Sequence, residues 1–300
     1  MKQIFRIILV FGCNHLTAQN YVDIARMYFN TTAPNAFENS NTKTQVNEMG
    51  LDFTYPIVLK NNDAFITGIS YERTSLRLYE SEPYATISSV TLRIGLNKNH
   101  SERLTGSYML VPKLASAFGQ SSARNFQMGA LALLKITKSD RLNYRLGLFY
   151  NSEFFGPLIV PILGFYALGP GKKFEATVNI PSLIDLNYKL HNFVNIGLNF
   201  SGQIRSYRLA ELPVTLQPGY VVRQGADLCG YLKFNFSKSI SLQTRVGYTV
   251  ARTYRVFDEN DKIDLGISFF AIGDNRTQLN TNFSKGMVYQ SVLLYRFVKD

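Results

Sequence analysis

From residue 45 onward the chain is written in alternation. Leu51, Phe53, Tyr55 and Ile57 take one parity, and Gly50, Asp52 and Thr54 take the other. Val90, Leu92, Ile94 and Leu96 repeat the pattern against Ser89, Thr91, Arg93, Gly95 and Asn97. So do Leu142, Tyr144, Leu146 and Leu148 against Asn143, Arg145 and Gly147, and Val194, Ile196, Leu198 and Phe200 against Asn195, Gly197, Asn199 and Ser201. Side chains of a strand point alternately to its two faces, so each segment predicts a strand with one apolar and one polar side. Segments of about ten residues in this style are the signature of strands that cross a membrane.

The connections divide into two kinds. Residues 60–63, 98–102, 138–140, 169–173, 191–192 and 237–239 are short polar turns, whereas 31–43, 79–84, 116–124, 210–218 and 258–284 are longer. Short turns on one side and longer loops on the other are the arrangement of an up-and-down barrel. With a first strand near 21–30 and a last at 287–297, the count is fourteen antiparallel strands, and twelve is the nearest alternative. Two stretches resist assignment. Pro181 interrupts 174–190, which reads as two short strands or one bent strand. Residues 263–272 alternate but lack a partner, so they are assigned to a folded extracellular loop.

A soluble β-sandwich also alternates. Two features favour a transmembrane barrel. The apolar faces end in aromatics such as Tyr55, Tyr71, Tyr150 and Phe236, as at membrane interfaces. The polar faces carry Gly, Asn, Arg and Asp, residues suited to a crowded wet lumen. No later segment has the roughly 20 apolar residues of a spanning helix, and a closed barrel is the other structure that satisfies its backbone in lipid.

Lys2 and Arg6, then Ile7 to Gly12, then Thr17-Ala18-Gln19 read as a cleaved secretory signal over residues 1–19, leaving 20–300 as one barrel domain. A lipoprotein signal acylated at Cys13 is the rival. Under the first reading only Cys229 remains, so no internal disulfide forms. Charged residues make up 18% of the chain, and the formal net charge is +11. The basic residues are scattered singly through apolar strands and form no run, which argues against nucleic-acid binding.

The stretch Ile180-Pro181-Ser182-Leu183-Ile184-Asp185-Leu186-Asn187-Tyr188, the segment Gly273 to Leu279 and the closing Tyr295-Arg296-Phe297 resemble an uncharacterised outer-membrane β-barrel domain family of Gram-negative bacteria, a domain of unknown function. The resemblance spans nearly all of 20–300. It implies an outer-membrane barrel and brings no agreed activity.

Candidate chemistry lies in the lumen. Parity turns Arg93, Arg145, Glu153, Arg205, Arg223, Asp227, Arg245 and Arg255 inward, together with Asp52, Glu72, Lys113, Lys135, Glu175 and Lys233. On the lipid face near the midplane each Lys or Arg costs about 2–4 kcal/mol. These charges either form ion-pair ladders that fill the lumen or line an anion-favouring path. His100 and His191 fall in short periplasmic turns, away from any base role at the outer rim. Asp258-Glu259-Asn260-Asp261 lacks the glycine and distal Glu of a calcium loop. The reading is therefore a non-enzymatic barrel without cofactor or metal, passing small polar or anionic solutes, with a closed structural or ligand-binding barrel as the alternative. Its expected partners are outer-membrane lipids, lipopolysaccharide and the barrel-assembly machinery, which would read the C-terminal strand.

Overall fold

The computed structural model describes residues 21–60, 63–117, 123–213 and 217–298; the leader reading, with Cys13, falls outside them. The chain begins with β1 (Tyr21–Thr32), a small hairpin of β2 (Asn35–Ala36) and β3 (Lys43–Thr44), then β4 (Asn47–Val58), β5 (Ala64–Leu76), β6 (Ala85–Asn99) and β7 (Leu104–Ala117). Next come β8 (Phe126–Ser139), β9 (Leu142–Glu153), β10 (Gly156–Leu168), β11 (Phe174–Ile180) and β12 (Leu183–Lys189). The last are β13 (Val194–Leu209), β14 (Gly219–Asn235), β15 (Ile240–Asp258), the short β16 (Leu265–Ile267) and β17 (Phe270–Ile272), and β18 (Met287–Val298). Apart from the two short hairpins, fourteen strands pair antiparallel around one closed barrel, with β1 sealed to β18 from Tyr21↔Val298 to Thr32↔Val288. Closure leaves the spanning sheet without an edge.

The apolar parity faces outward. Leu51, Phe53, Leu92, Leu148, Leu163 and Leu198 are all exposed, the reverse of a soluble core and the requirement of a surface solvated by lipid. Aromatics bound this band: Tyr55, Tyr108, Tyr144, Tyr188 and Tyr295 stand near the turns beside the chain ends, and Phe29, Phe126, Tyr150, Tyr248 and Tyr289 near the opposite loops.

Residues 174–190 resolve into two short strands. Because β11 and β12 have seven residues each, their hairpin stops level with Leu163 on β10 and Ser201 on β13. Above that level the wall has a notch. The loop after β15 fills it: Leu158↔Gly266 and Ile159↔Ile267 join β16 to the free edge of β10, and β17 folds back on β16. The stretch without an evident partner in sequence thus completes the wall.

Freed from β12, the upper part of β13 leans inward, where Arg208 bridges to Ser116 of β7. Its outward side chains are therefore covered by the inner faces of β8 and β9. Ser206 N and Oγ donate to Glu153, at 2.7 and 2.5 Å, and Gln127 Nε2 donates to Ser206 O at 3.2 Å. Beside it Leu158 and Val160 of β10 pack on Tyr220 and Val222 of β14 and on Phe257. The loop half of the barrel is thus double-walled, and its inner ring is filled by Phe37, Leu76, Ile87, Leu209, Leu212, Val221, Val256 and Phe283, none more than 6% exposed. Such a side chain contributes about 1.5–3 kcal/mol when removed from water, so opening this mouth would expose many of them at once. Leu209 and Leu212, at the end of β13 and in the loop after it, are part of this cap.

Parity fails for the lumen at the bulge between β14 and β15. Asp227 pairs with Thr249, but Ala226 pairs with Ala251, leaving Val250 as an extra residue on β15. A one-residue slip exchanges the two faces of everything beyond it. Arg255 therefore does not line the lumen: it shares the outer face of the inner ring with Val222 and lies over Phe257. Arg252 takes the inward place, donating to Asn35 at 3.0 Å over the Phe283 ring.

Candidate functional site

Below the apolar cap the lumen opens into a chamber of about 550 Å³, within the range of small-molecule sites. Its two sides differ. On the side of β1, β4, β5, β6 and β13–β15 it is charged, with Arg26, Asp52, Glu72, Arg93, Arg205, Asp227 and Arg245. On the side of β7–β10 it holds the paired Lys113 and Glu153 with Asn151 and is otherwise apolar, with Val111, Leu131, Phe149, Val160 and Ile162. The apolar end reaches the notch, where Pro181, Ser182, Gly202 and Phe269 meet.

The charges are mostly paired. Glu72 accepts from Tyr28 Oη at 2.9 Å, Tyr207 Oη at 2.5 Å, Arg223 at 3.0 Å, and Arg205. Arg223 also reaches Glu48. Arg93 holds Asp52 through both guanidinium nitrogens, at 2.7 and 2.8 Å. Lys113 pairs with Glu153 at 3.1 Å where the two walls meet. Inside so confined a space an unpaired charge is costly, and matched pairs tie β4, β5, β13 and β14 across the lumen.

Three chamber charges have no ionic partner among the described residues: Arg26, Arg245 and Asp227. Arg245 donates only to amides, to Asn199 Oδ1 at 2.7 Å and Gln243 Oε1 at 2.6 Å. Asp227 accepts from Thr249 at 2.5 Å and Gln290 at 3.3 Å. Arg26 lies exposed within the lumen, stacked over Tyr28.

Of the residues expected inward, Arg93, Glu153, Arg205, Asp227 and Arg245 line the chamber, and Arg223 is buried in the adjoining small cavity. Arg145 lies lower, beside Asn143 and Asn179. Arg255 is the exception already described. The chamber carries five basic and five acidic groups, so the expected basic excess is not there. It lies toward the turns, where Lys135, Arg145 and Lys233 outnumber Glu175 and Asp185.

Arg26, Tyr28 and Glu48 escaped the sequence reading, although Arg26, Tyr28 and Asn30 alternate with the exposed Met27 and Phe29 and were findable. Phe269 left no such signal, because its place depends on a notch that only the closed barrel creates. His100 and His191 occupy turns on the side of the chain ends, and His100 Nε2 meets Tyr108 Oη at 3.0 Å. In the loop that supplies the β16–β17 hairpin, Arg276 holds Asp274 at 2.7 Å, and this hydrogen bond keeps the Asp274 carboxyl below the usual carboxylate range.

Residues 14–290 match the model of a family described as a domain of unknown function (DUF6268). No curated protein matches the chain. Among solved structures, the COG4313 outer membrane channel from Pseudomonas putida F1 is 8% identical, with a TM-score of 0.45 over 96% of this chain and 100% of that one. The translocator domain of autotransporter NalP from Neisseria meningitidis is 11% identical, with a TM-score of 0.37 over 91% and 88%. The outer membrane phospholipase A from Escherichia coli is 13% identical, with a TM-score of 0.33 over 90% and 92%.

Proposed function

Because the chain belongs to the DUF6268 family, whose description assigns no activity, we propose its function from the lumen alone: an outer-membrane channel of a Gram-negative bacterium that admits small polar or anionic solutes to the chamber. In this reading residues 1–19 are removed on export. The aromatic close of β18 engages the barrel-assembly machinery, and the outer band meets lipid and lipopolysaccharide.

The observation that carries it is the pair Arg26 and Arg245. In a chamber whose other cations, Arg93, Lys113 and Arg205, are paired with carboxylates, they face the space without one. Rings of such cations favour anions, and the basic groups toward the turns extend the same sign. The reading is non-enzymatic, since both histidines stand apart from the chamber.

One observation favours a second reading, a closed ligand-binding barrel: the apolar cap of Leu76, Ile87, Leu209, Val221 and Val256 stands over the chamber. Conductance of the refolded protein in a planar bilayer, with a reversal potential under a salt gradient, separates the two. Discrete anion-selective openings, weakened by Arg245→Gln and Arg205→Gln, are expected for the channel. A folded, heat-modifiable barrel that stays silent would overturn it in favour of the closed barrel.

A further inference from the structure

We infer that the chamber binds an amphipathic monoanion, a carboxylate on an apolar body, and exchanges it with the membrane through the notch above the β11–β12 hairpin, for which the β16–β17 hairpin is the movable plug. The inference rests on the reading of the chamber as a solute site and adds to it the ligand class and the route.

The ligand class follows from the division of the chamber. Arg26 and Arg245 mark its charged end, with Asp227 as the only acid there that lacks an ionic partner among the described residues, so that end is net positive. Phe149, Val160 and Ile162 line the opposite end. A small hydrophilic anion leaves this apolar wall unused, and a hydrocarbon leaves the two guanidinium groups unanswered. A molecule carrying both satisfies both walls, with a charge-assisted hydrogen bond at one end and apolar burial at the other.

The route follows from strand lengths. The notch lies between the free upper edge of β10 and the inward-leaning β13, three residues of strand or about 10 Å tall. Its lower lip is level with Leu163 and Ile180, 59% and 54% exposed on the lipid face. Its upper limit, at Ile159, pairs with Tyr150 of the aromatic girdle. The opening therefore faces the hydrocarbon just beneath the outer interface.

The plug is held on one side. β16 pairs with β10 at two positions, and Ser268 N donates to Ile159 O at 2.9 Å. β17 pairs only with β16 among the described residues, so its far edge toward β13 is unpaired. Phe270, 77% exposed, faces outward on this hairpin, while Phe269 closes the inner side against β13. Gly202 makes that closure possible: a Cβ there would lie 2.8 Å from the Phe269 ring. Swinging the hairpin away breaks few hydrogen bonds and withdraws Phe269 from the chamber's apolar end.

The test uses the refolded protein in lipid nanodiscs, with decanoate as the anion, decanol as its neutral counterpart and empty nanodiscs to subtract partition into lipid. Calorimetry reads binding, and the line shape of carboxyl-labelled decanoate reads exchange. Ile159→Cys with Ile267→Cys, in a Cys229→Ser background, places two cysteines at a paired position where a disulfide locks the plug. Binding of decanoate over decanol is expected, weakened about tenfold to a hundredfold by Arg245→Gln or Arg26→Gln and restored by Arg245→Lys. Oxidation should slow exchange at least about tenfold, reversibly on reduction, with affinity unchanged. Exchange as fast in the locked protein as in the reduced one would overturn the route, and equal binding of decanol would overturn the ligand class. Bilayer silence with decanoate bound would sink the channel reading and leave this inference standing.

Discussion

Replacing Glu72 by Gln removes the carboxylate on which the lumen's largest polar cluster converges, and the structure sets the size of the effect. Four side chains donate to it: Tyr28, Tyr207, Arg205 and Arg223. An amide offers one acceptor oxygen in place of two and turns its NH2 toward groups that are themselves donors. Removing one partner of a buried pair costs about 3–5 kcal/mol because the remaining charge is left uncompensated. Two features pull the value to the low end. Arg205 has a side chain 38% exposed, so solvent screens much of its loss. Arg223, whose side chain is 7% exposed, keeps Glu48. About 3 kcal/mol is expected, a shift of roughly a hundredfold in the folding equilibrium. Urea titration in lipid vesicles, read by the heat-dependent shift in gel mobility, measures it as a lower midpoint at constant slope. Adding Arg205→Gln should then cost less than it does alone, since the two share one interaction. A loss below about 1 kcal/mol, the scale of an exposed pair, would refute the claim that this cluster ties the inner ring together.

Three further outcomes are expected. Leu198→Arg places a charge on the lipid face and should cost about 2–4 kcal/mol in the same titration, whereas a neutral result would mean that this face does not meet hydrocarbon. Leu209→Ala opens a void in the apolar cap, should cost about 2–5 kcal/mol, and should raise the frequency of bilayer openings; unchanged conductance would show that the cap is not the barrier. The Asp274–Arg276 pair gives the plug loop a pH dependence of known sign. Because its folded carboxyl titrates below the unfolded value of about 3.9, the stabilisation is full above that value and is lost as pH falls through the folded one. Hydrogen exchange of residues 263–277, corrected for its intrinsic rate, should stay protected from neutral pH down to that range and rise only below it. The same rise in Asp274→Asn at neutral pH would confirm the pair as the cause, and its absence would remove the pair from loop docking.

Alternation alone determined much of this protein. The period-two pattern in β4, β6, β9 and β13 gives strand, spacing and outward face together, because a strand's geometry is local and lipid demands apolar side chains on every outward position. Turn lengths gave the count of fourteen, and the inward direction of Arg93, Arg145, Arg205, Arg223 and Arg245 followed from the same parity. Two kinds of fact were not local. Val250 carries no mark of being an extra residue. The bulge sits at Ala226/Asp227, level with Ser201 where β13 leaves β12, and it exchanged the places of Arg252 and Arg255. Likewise nothing in Ile204, Ser206 or Arg208 says that β13 leaves the wall, or that Phe269 closes the space behind it. Those placements come from β11 and β12 being too short to support β13 along its length. That shortage acts through residues brought together only by barrel closure, so the chamber, its two unlike walls and its plug were decided by tertiary structure.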